Sequence, residues 1–592
     1  MTDYIAPLDD MNFVLNTLVD FEHLAELTDN TDASSDLVAA ILEEAGKLSS
    51  SVIAPLNRTG DLAGVQLTEQ NEVVVPTGFK EAYQAYVEGG WGSLQFNPQY
   101  GGQGLPFVLA IAVQEMWHSA NMAWGLCPLL SQGAVEAIAA NASPVLCERF
   151  LPKMISGEWS GTMNLTEPQA GSDLAAINTK AIPESEHYRI TGQKIFITWG
   201  EHPMADNIVH LVLARLPDAP AGVKGISLFL VPKFLVNADG SLGARNACKA
   251  ISLEHKLGIH ASPTCVMSYG DNEGAIGYLV GEENRGLACM FTMMNNARLT
   301  VGLQGVSIAE RAYQQAKEYA LERVQGVAIG RDKAGPIIEH PDVRRMLMTM
   351  TSLTQAARAL AYTACKEVDL VEAELPDAEK QRHQRRLGLL TPLVKGWCTE
   401  IAQEVTSLAV QVHGGMGFIE ETGIAQHFRD ARILPIYEGT NGIQAMDLVG
   451  RKLSFDQGQA VTELLEEIDS SIAQIQPYGA LTAGHIQRFS SAANALRQAS
   501  QTLLNSTDKA TPAALAFNYL MLSSYVVAGW QMLIAADKAN NQLKLEANQP
   551  FYQAKVLSGA FFLDQLLPRY HGYFESINNG AVSTLELPID WF

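Results

Sequence analysis

The chain has 592 residues, of which 47% are apolar and 18% charged, and its formal net charge at pH 7 is −23. This length and composition predict a globular protein of three or four domains without long disordered stretches. The acidic balance argues against a protein that wraps nucleic acid or lies on an anionic membrane, because both functions need a basic face. Locally gathered basic residues could still bind an anionic small molecule.

The cysteines and the apolar segments indicate the cellular compartment of the protein. Seven scattered cysteines form no CxxC pair and show no zinc-ligand spacing, which predicts reduced thiols, a cytoplasmic location and no metal site. The first ten residues lack the basic and apolar regions of a signal peptide. Polar residues interrupt the apolar run from Ala513 to Ala536, which favours a buried helix over an integral membrane span.

The first two predicted domains differ in their hydrophobic period. Residues 1–158 carry apolar side chains at helical spacing and predict an N-terminal helical domain with an extension. Residues 159–282 predict a small antiparallel β domain from four β-rich runs, at 187–200, 206–216, 225–235 and 262–272. This domain lacks a GxGxxG motif between a strand and a helix, so a nicotinamide-binding unit is not indicated.

Helical periodicity returns in the second half of the chain. Residues 283–452 predict a helical bundle, and its longest periodic segments are Leu299–Arg323, Val343–Val371 and Arg386–Val412. Residues 453–592 predict an additional C-terminal helical domain. The predicted fold is therefore mainly α with a small β domain.

One short stretch, LPIYEGTNGIQ from Leu434 to Gln444, carries a single carboxylate, Glu438. Pro435 and Gly439 predict a tight loop, with a helix resuming near Asn441. The apolar neighbours Ile433, Leu434, Ile436 and Tyr437 would desolvate the carboxylate and raise its pKa, as a general base near neutral pH requires. Local composition alone leaves a second interpretation open, in which Glu438 caps a helix in a surface loop.

Four motifs occur in one order and at one spacing along the chain, and together they resemble the acyl-CoA dehydrogenase family. They are NLTEPQAGSD (164–173), QKIFIT (193–198), VQVHGGMGF (410–418) and IYEGTNGIQ (436–444). The resemblance implies an N-terminal helical domain, a middle β-barrel-like domain and a C-terminal helical bundle. The extension and the tail are similar to a long bacterial subfamily, which includes 3-methylmercaptopropionyl-CoA dehydrogenase and broad-range fatty acyl-CoA dehydrogenases.

The resemblance also implies a reaction. Glu438 would remove the α-proton of an acyl-CoA thioester and flavin N5 would accept the β-hydride, which gives the trans-2-enoyl-CoA. FAD is the implied cofactor, and electron-transferring flavoprotein is the implied electron acceptor. Alternatives are a 3-methylmercaptopropionyl-CoA dehydrogenase, an acyl-CoA oxidase-type flavoenzyme of the same fold, and a binding or assembly protein that has lost catalysis.

The family motifs imply two sets of site residues. The set matching positions that contact FAD is Met163, Leu165, Thr166, Ser172, Phe196, Thr198, Arg323, Gln325, Gln411, Gly415 and Thr440. The set matching substrate contacts is Ser172, Asn295, Arg298, Tyr437 and Gly439. Family members carry FAD contacts on a neighbouring subunit, so the resemblance implies at least a homodimer.

The sequence departs from the family pattern at three of its positions. Phe196 replaces a common Trp, so ring stacking survives without the indole N–H. Asn295 replaces a common Asp that contacts pantetheine, and Pro341 replaces a common Gln. None of the three indicates the length of the acyl chain.

Overall fold

The structure, a computed structural model, describes residues 4–271, 273–546 and 548–592, apart from the side chain of Thr292. Its α-helices are α1 Leu8–Phe13, α2 Phe21–Leu27, α3 Ser35–Leu48, α4 Leu56–Ala63, α5 Phe79–Glu88, α6 Phe107–Ala120, α7 Met122–Asn141, α8 Pro144–Ser156, α9 Gly286–Glu322, α10 Pro341–Glu372, α11 Asp377–His413, α12 Ile424–Ala431, α13 Asn441–Asp447, α14 Gln459–Ile472, α15 Ala483–Leu504, α16 Ala510–Leu545, α17 Pro550–Phe561, α18 Tyr570–Asn579 and α19 Ala581–Leu585. Its strands are β1 Gln66–Leu67, β2 Val73–Val74, β3 Trp159–Asn164, β4 Lys180–Glu184, β5 His187–Thr198, β6 Asn207–Arg215, β7 Ile226–Pro232, β8 Phe234–Val236, β9 Leu242–Arg245, β10 Cys248–Leu253, β11 Thr264–Tyr269 and β12 Ala275–Val280.

The chain divides into two compact units. The strand unit comprises Lys47–Leu105 and Met116–Ala297, and the helical unit comprises Met1–Gly46, Pro106–Glu115 and Arg298–Phe592. The mainly α fold with a small β domain is confirmed. The four domain boundaries from the sequence stay a prediction, which we retain as proposed limits.

The main sheet of the strand unit has the strand order β10-β11-β5-β12-β7-β6-β3. Strand β4 pairs with both β5 and β6, so β5, β12, β7, β6 and β4 close into a barrel-like ring. Most pairs are antiparallel, but the predicted antiparallel sheet is wrong at β6, which pairs in parallel with both β3 and β4. Helices α7 and α8 pack on the β3 edge and share a buried apolar cluster with β3.

The helical unit is built around long helices, and α10 and α11 form an extensively packed pair. Among the described residues, only α16 is long and apolar enough to cross a membrane, and 94% of its most apolar window is buried inside the protein. The prediction of a buried helix for the run at 513–536 is therefore confirmed. All seven cysteines are buried free thiols, in both units.

A buried charge cluster joins the ends of the helical unit. Arg358 of α10 donates to Glu115 at 2.9 Å, to Glu310 at 2.8 Å and to Asp10. Asp10 also accepts a hydrogen bond from Lys555 of α17, at 2.5 Å. Buried charges are stabilised when each has an opposite partner and saturated hydrogen bonds, and this cluster supplies both. The N-terminal extension and the C-terminal domain are thus fastened to the same bundle helix.

Candidate functional site

Glu438 lies in a tight turn between α12 and α13. Glu438 and Gly439 both have left-handed backbones, with φ of +56° and +82°. This conformation is costly for a residue with a side chain, and such residues cluster at functional sites. The amide of Asn441 closes the turn by donating to Pro435 O at 3.0 Å, and Thr440 caps α13 by accepting from Ile443 N. The predicted loop and the helix resuming at Asn441 are both confirmed.

Two buried cations influence the Glu438 carboxylate. Burial raises the pKa of Glu438 to about 7, and the charges of Arg298 and Lys395 oppose that rise. Burial likewise lowers the pKa of Lys395 to about 7, against the opposing charges of Glu438 and Glu400. Leu434 is fully buried beneath the turn, as predicted, whereas Ile436 is 48% exposed and cannot desolvate the carboxylate strongly.

The structure places Arg298 inside the helical unit, close to the turn. The residue is 7% exposed, and its guanidinium pairs with Asp447 at 3.7 Å and lies near Gly439. Burial lowers the pKa of Arg298, while Asp447 and Glu438 raise it. Tyr437, another predicted substrate contact, donates its hydroxyl hydrogen bond to Gln304 of α9. Burial raises the pKa of Tyr437, so this hydroxyl stays protonated.

In the strand unit, the predicted flavin contacts gather around a bulge in β5. Opposite β11 the register shifts between Cys265 and Met267, and Phe196 within the bulge has φ of +60°. The amide of Ile195 consequently donates to Thr166 O at 2.9 Å instead of to β11. Bulges re-aim side chains, and here Phe196 is 58% exposed.

A buried ion pair fixes the segment after β3 against β5. Lys194 donates to Leu165 O at 3.0 Å and to the Glu167 carboxylate at 2.8 Å. Thr162 donates to Thr198 O at 2.7 Å, which holds the end of β5 to β3 itself. Met163 is buried, whereas Leu165, Thr166 and Thr198 are half-buried.

These residues fit a flavin. An exposed aromatic ring is able to stack on a planar heterocycle, and threonine hydroxyls are able to hydrogen-bond its polar edge. Ser172 is exposed in the loop beyond β3, beside Gly171, whose absent Cβ would meet nothing within 4 Å. The surroundings of Gly171 therefore leave room for a ligand to approach the backbone.

The remaining predicted contacts are on the surface of their own units. Arg323, Gln325, Gln411 and Gly415 of the helical unit are all exposed, and Arg323 lies 3.5 Å from Gln325. Asn295 is exposed in the strand unit. Exposure of the first four is what a contact to a neighbouring subunit requires. Their roles stay predictions.

Sequence reasoning missed Lys395, Asn441, Gln304 and Gln444, which surround the Glu438 turn. Gln444 donates to the carbonyl oxygens of Glu438 and Gly439, at 3.3 Å each. The available signal was a lone lysine in the apolar run PLVKGWC, because a charge in a buried helix face needs a nearby partner.

Family models match the chain in four segments. They are described as acyl-CoA dehydrogenase N-terminal domain (residues 39–158), middle domain (162–271) and C-terminal domain (284–453), and acetyl-CoA dehydrogenase C-terminal like (464–588). Together they extend over both compact units.

Relatives and solved structures agree with these matches. The chain is 47% identical to 3-methylmercaptopropionyl-CoA dehydrogenase of Ruegeria pomeroyi, over 95% of this chain and 96% of that protein. It is 32% identical to the broad-specificity linear acyl-CoA dehydrogenase FadE5 of Mycobacterium tuberculosis, over 96% of each chain. An acyl-CoA dehydrogenase from Bacillus anthracis, solved with FAD, superposes with a TM-score of 0.74 at 20% identity and covers 93% of this chain and 89% of its own. The chain belongs to the acyl-CoA dehydrogenase family of oxidoreductases, and its cofactor is FAD.

Proposed function

We propose that the protein introduces a trans double bond between the α and β carbons of an acyl-CoA thioester, with Glu438 as the catalytic base. The observation that carries this proposal is a half-buried carboxylate with a pKa of about 7, held in a left-handed turn near two buried cations. A base whose pKa lies near the working pH is substantially ionised and still basic enough to take a weakly acidic proton.

The chain's own groups divide the work. Glu438 takes the α-proton, and its backbone N–H donates to the thioester carbonyl oxygen, where negative charge develops. Phe196, Thr166 and Thr198 would hold the isoalloxazine ring of FAD, and Ser172 would contact its pyrophosphate. FAD, when bound, supplies the acceptor for the hydride that leaves the β-carbon. Asn295 and Arg298 act toward the CoA portion of the substrate.

The proposed substrate is 3-methylmercaptopropionyl-CoA. The 47% identity to the Ruegeria enzyme of that name supports this choice over the linear chains named for FadE5. We expect a panel of saturated acyl-CoAs from short to long, with the thioether substrate included, to give the highest kcat/KM for the thioether. A clear preference for a linear acyl-CoA would contradict the assignment.

We further propose that electron-transferring flavoprotein reoxidises the reduced enzyme in the cytoplasm, and that the enzyme is at least a homodimer. In stopped-flow experiments, the reduced enzyme should be reoxidised much faster by electron-transferring flavoprotein than by oxygen. Faster reoxidation by oxygen would instead favour an acyl-CoA oxidase.

The catalytic assignment is tested with Glu438→Gln in the holoenzyme. The amide keeps the shape of the side chain and loses its basicity, so FAD content and acyl-CoA binding should be retained while acyl-CoA-dependent bleaching of the flavin disappears. Glu421→Gln, a change at an exposed acidic residue of the same unit, is the matched control and should bleach normally. Bleaching at an unchanged rate in Glu438→Gln would contradict the assignment of Glu438 as the base.

A further inference from the structure

Lys395 is a fully buried lysine on α11, at 0% exposure. Its Nζ donates a hydrogen bond to Asn441 Oδ1 at 2.9 Å. An ammonium group loses its hydration when it is buried, so it persists only where neighbouring groups compensate that loss. An apolar side chain would fill the same space at a smaller free-energy cost of burial. The presence of a lysine here therefore indicates a role for the charge itself.

Asn441 connects Lys395 to the turn that carries Glu438. Its Nδ2 is placed to donate to Glu400 at 2.8 Å and to Thr399 at 2.9 Å, both on α11. Its backbone amide donates to Pro435 O, which closes the turn. Asn441 comes three residues after Glu438, so the side-chain contacts to α11 fix the end of the turn on a rigid helix.

The charges that face Glu438 come from two helices. Arg298 of α9 forms an ion pair with Asp447 of α13. The same aspartate also pairs with Arg451, whose Nη1 lies 3.5 Å from Asp447 Oδ1. Lys395 approaches from α11, and Glu400 of the same helix faces Lys395. Tyr437 adds a protonated hydroxyl from the turn itself. Lys395 donates its hydrogen bond to a neutral amide, whereas Arg298 pairs with the carboxylate of Asp447. The charge of Lys395 is therefore neutralised less by its bonded partner than the charge of Arg298 is.

We propose that Lys395 is a positioning residue for Glu438, which anchors the turn through Asn441 and whose protonated form favours the ionised carboxylate. This inference rests on the proposed role of Glu438 as the base. Burial pushes Glu438 toward its neutral form, in which it cannot accept a proton. Lys395 opposes that tendency without touching the substrate or the cofactor.

Two neutral variants separate the charge from the anchor. Lys395→Gln keeps a hydrogen-bond donor for Asn441 and removes the charge, whereas Lys395→Met removes both. Lys395→Arg keeps the charge. Lys380→Met, at a half-buried lysine near the start of the same helix, is the matched control. Each holoenzyme is assayed for FAD content, thermal unfolding and the rate of flavin reduction by acyl-CoA between pH 6 and 10.

Removal of the charge should raise the pKa of Glu438, because the carboxylate loses an attractive partner. The inflection of the flavin-reduction profile should therefore move to higher pH by about one unit in Lys395→Gln and Lys395→Met, with about tenfold slower reduction below the inflection and recovery above it. Lys395→Arg and Lys380→Met should keep the original inflection, and FAD content should stay unchanged throughout.

Three results would overturn the proposal. An unshifted inflection in both neutral variants would show that the charge does not act on Glu438. A rate reduced equally at every pH would leave Lys395 with only its contact to Asn441 and would refute the proposed action of its charge. Failure of both neutral variants to fold, with Lys395→Arg folded, would assign it to stability. Persistent bleaching in Glu438→Gln is a separate outcome, since it would refute the proposed base whatever Lys395 does.

Discussion

Gly439 shares the left-handed turn with Glu438, and its φ of +82° leaves little tolerance for a side chain. A Cβ at this position would lie 2.8 Å from Nε2 of Gln444, the group that holds the two carbonyl oxygens of the turn. Backbone conformation and space therefore both select glycine here. The consequence is that the turn, and with it the direction of the carboxylate, depends on a residue without chemistry of its own.

We expect Gly439→Ala to lower the free energy of unfolding by about 1–2 kcal/mol, because alanine pays the left-handed penalty and displaces Gln444. Flavin reduction should fall much more than FAD content. Gly442→Ala, one turn further on within α13, has only Thr440 Oγ1 nearby, at 3.7 Å, and should be neutral or slightly stabilising. Denaturant unfolding and stopped-flow reduction measure both effects. Equal effects of the two substitutions would contradict the argument.

The sequence predicts the turn of Glu438 from local markers, a proline before it and a glycine after it, and the resemblance of the four motifs implies the role of Glu438. Lys395 has no such markers, since its partners Asn441 and Glu438 are more than forty residues away and only packing brings them together. Ile436 misled the prediction for the same reason. A run of apolar letters does not reveal which of them faces outward, and the structure turns Ile436 toward solvent.

At the scale of elements, the β5 bulge depends on the buried pair of Lys194 and Glu167. Burial raises the pKa of Glu167, but the charge of Lys194 and hydrogen bonds from Thr179 and Asn178 outweigh it and lower the pKa to about 2. The folded pKa thus lies below the ordinary value of 4.5. The ionised Glu167 carboxylate therefore stabilises the fold above that ordinary value, and this contribution is lost as the pH falls toward about 2. Burial lowers the pKa of Lys194 to about 8, which offsets part of the gain from the pair.

We predict that Glu167→Gln destabilises the protein by about 3 kcal/mol at pH 7, because Lys194 is left buried without its counter-charge. The difference from the unsubstituted protein should shrink steadily between pH 4.5 and the lowest pH at which the protein folds. Glu184→Gln, which breaks the exposed pair with Arg189, serves as the control and should change little. Urea unfolding at several pH values gives the comparison, and a pH-independent difference would refute the linkage.

Strands were predicted correctly where a run rich in β-branched and aromatic residues lies between turn residues. The runs at 187–200, 206–216, 225–235 and 262–272 contain β5, β6, β7 and β11. Strand β3 was missed because its sequence, WSGTMN, lacks the run of Val, Ile, Leu and Phe that marks the equally buried strands β6 and β7. Its parallel pairing with β6 was missed too, since strand direction depends on the intervening connection, here through β4 and β5, and not on local composition.

For the whole molecule, the proposed FAD site takes residues from two chains. Phe196 is the proposed contact on one side of this site, and Arg323 is proposed to reach the FAD of a neighbouring subunit. Both side chains are exposed, so their replacement by alanine should leave the subunit folded. The two single variants, Phe196→Ala and Arg323→Ala, should each retain little FAD.

Co-expression of the two variants distinguishes a shared site from a single-chain site. In a mixed dimer, one site combines both defects and the other has neither. Random pairing should therefore restore FAD to about a quarter of the sites, measured by flavin absorbance per chain. Separately purified variants, mixed without exchange of subunits, form the control. Recovery absent from the co-expressed sample, with mixed dimers present, would contradict a shared site.

The cluster around Arg358 has a consequence for biosynthesis. Asp10 and Lys555 are separated by 545 positions, yet they bond directly inside one compact unit. A ribosome adds about 5–20 residues per second, so Asp10 emerges roughly half a minute to two minutes before its partner. Arg358 is synthesised during that interval and can pair with Asp10, whereas the second cation, Lys555, is not yet present. The helical unit therefore completes this cluster only after Lys555 has been synthesised, and a chain terminated before that residue lacks the last member of the cluster.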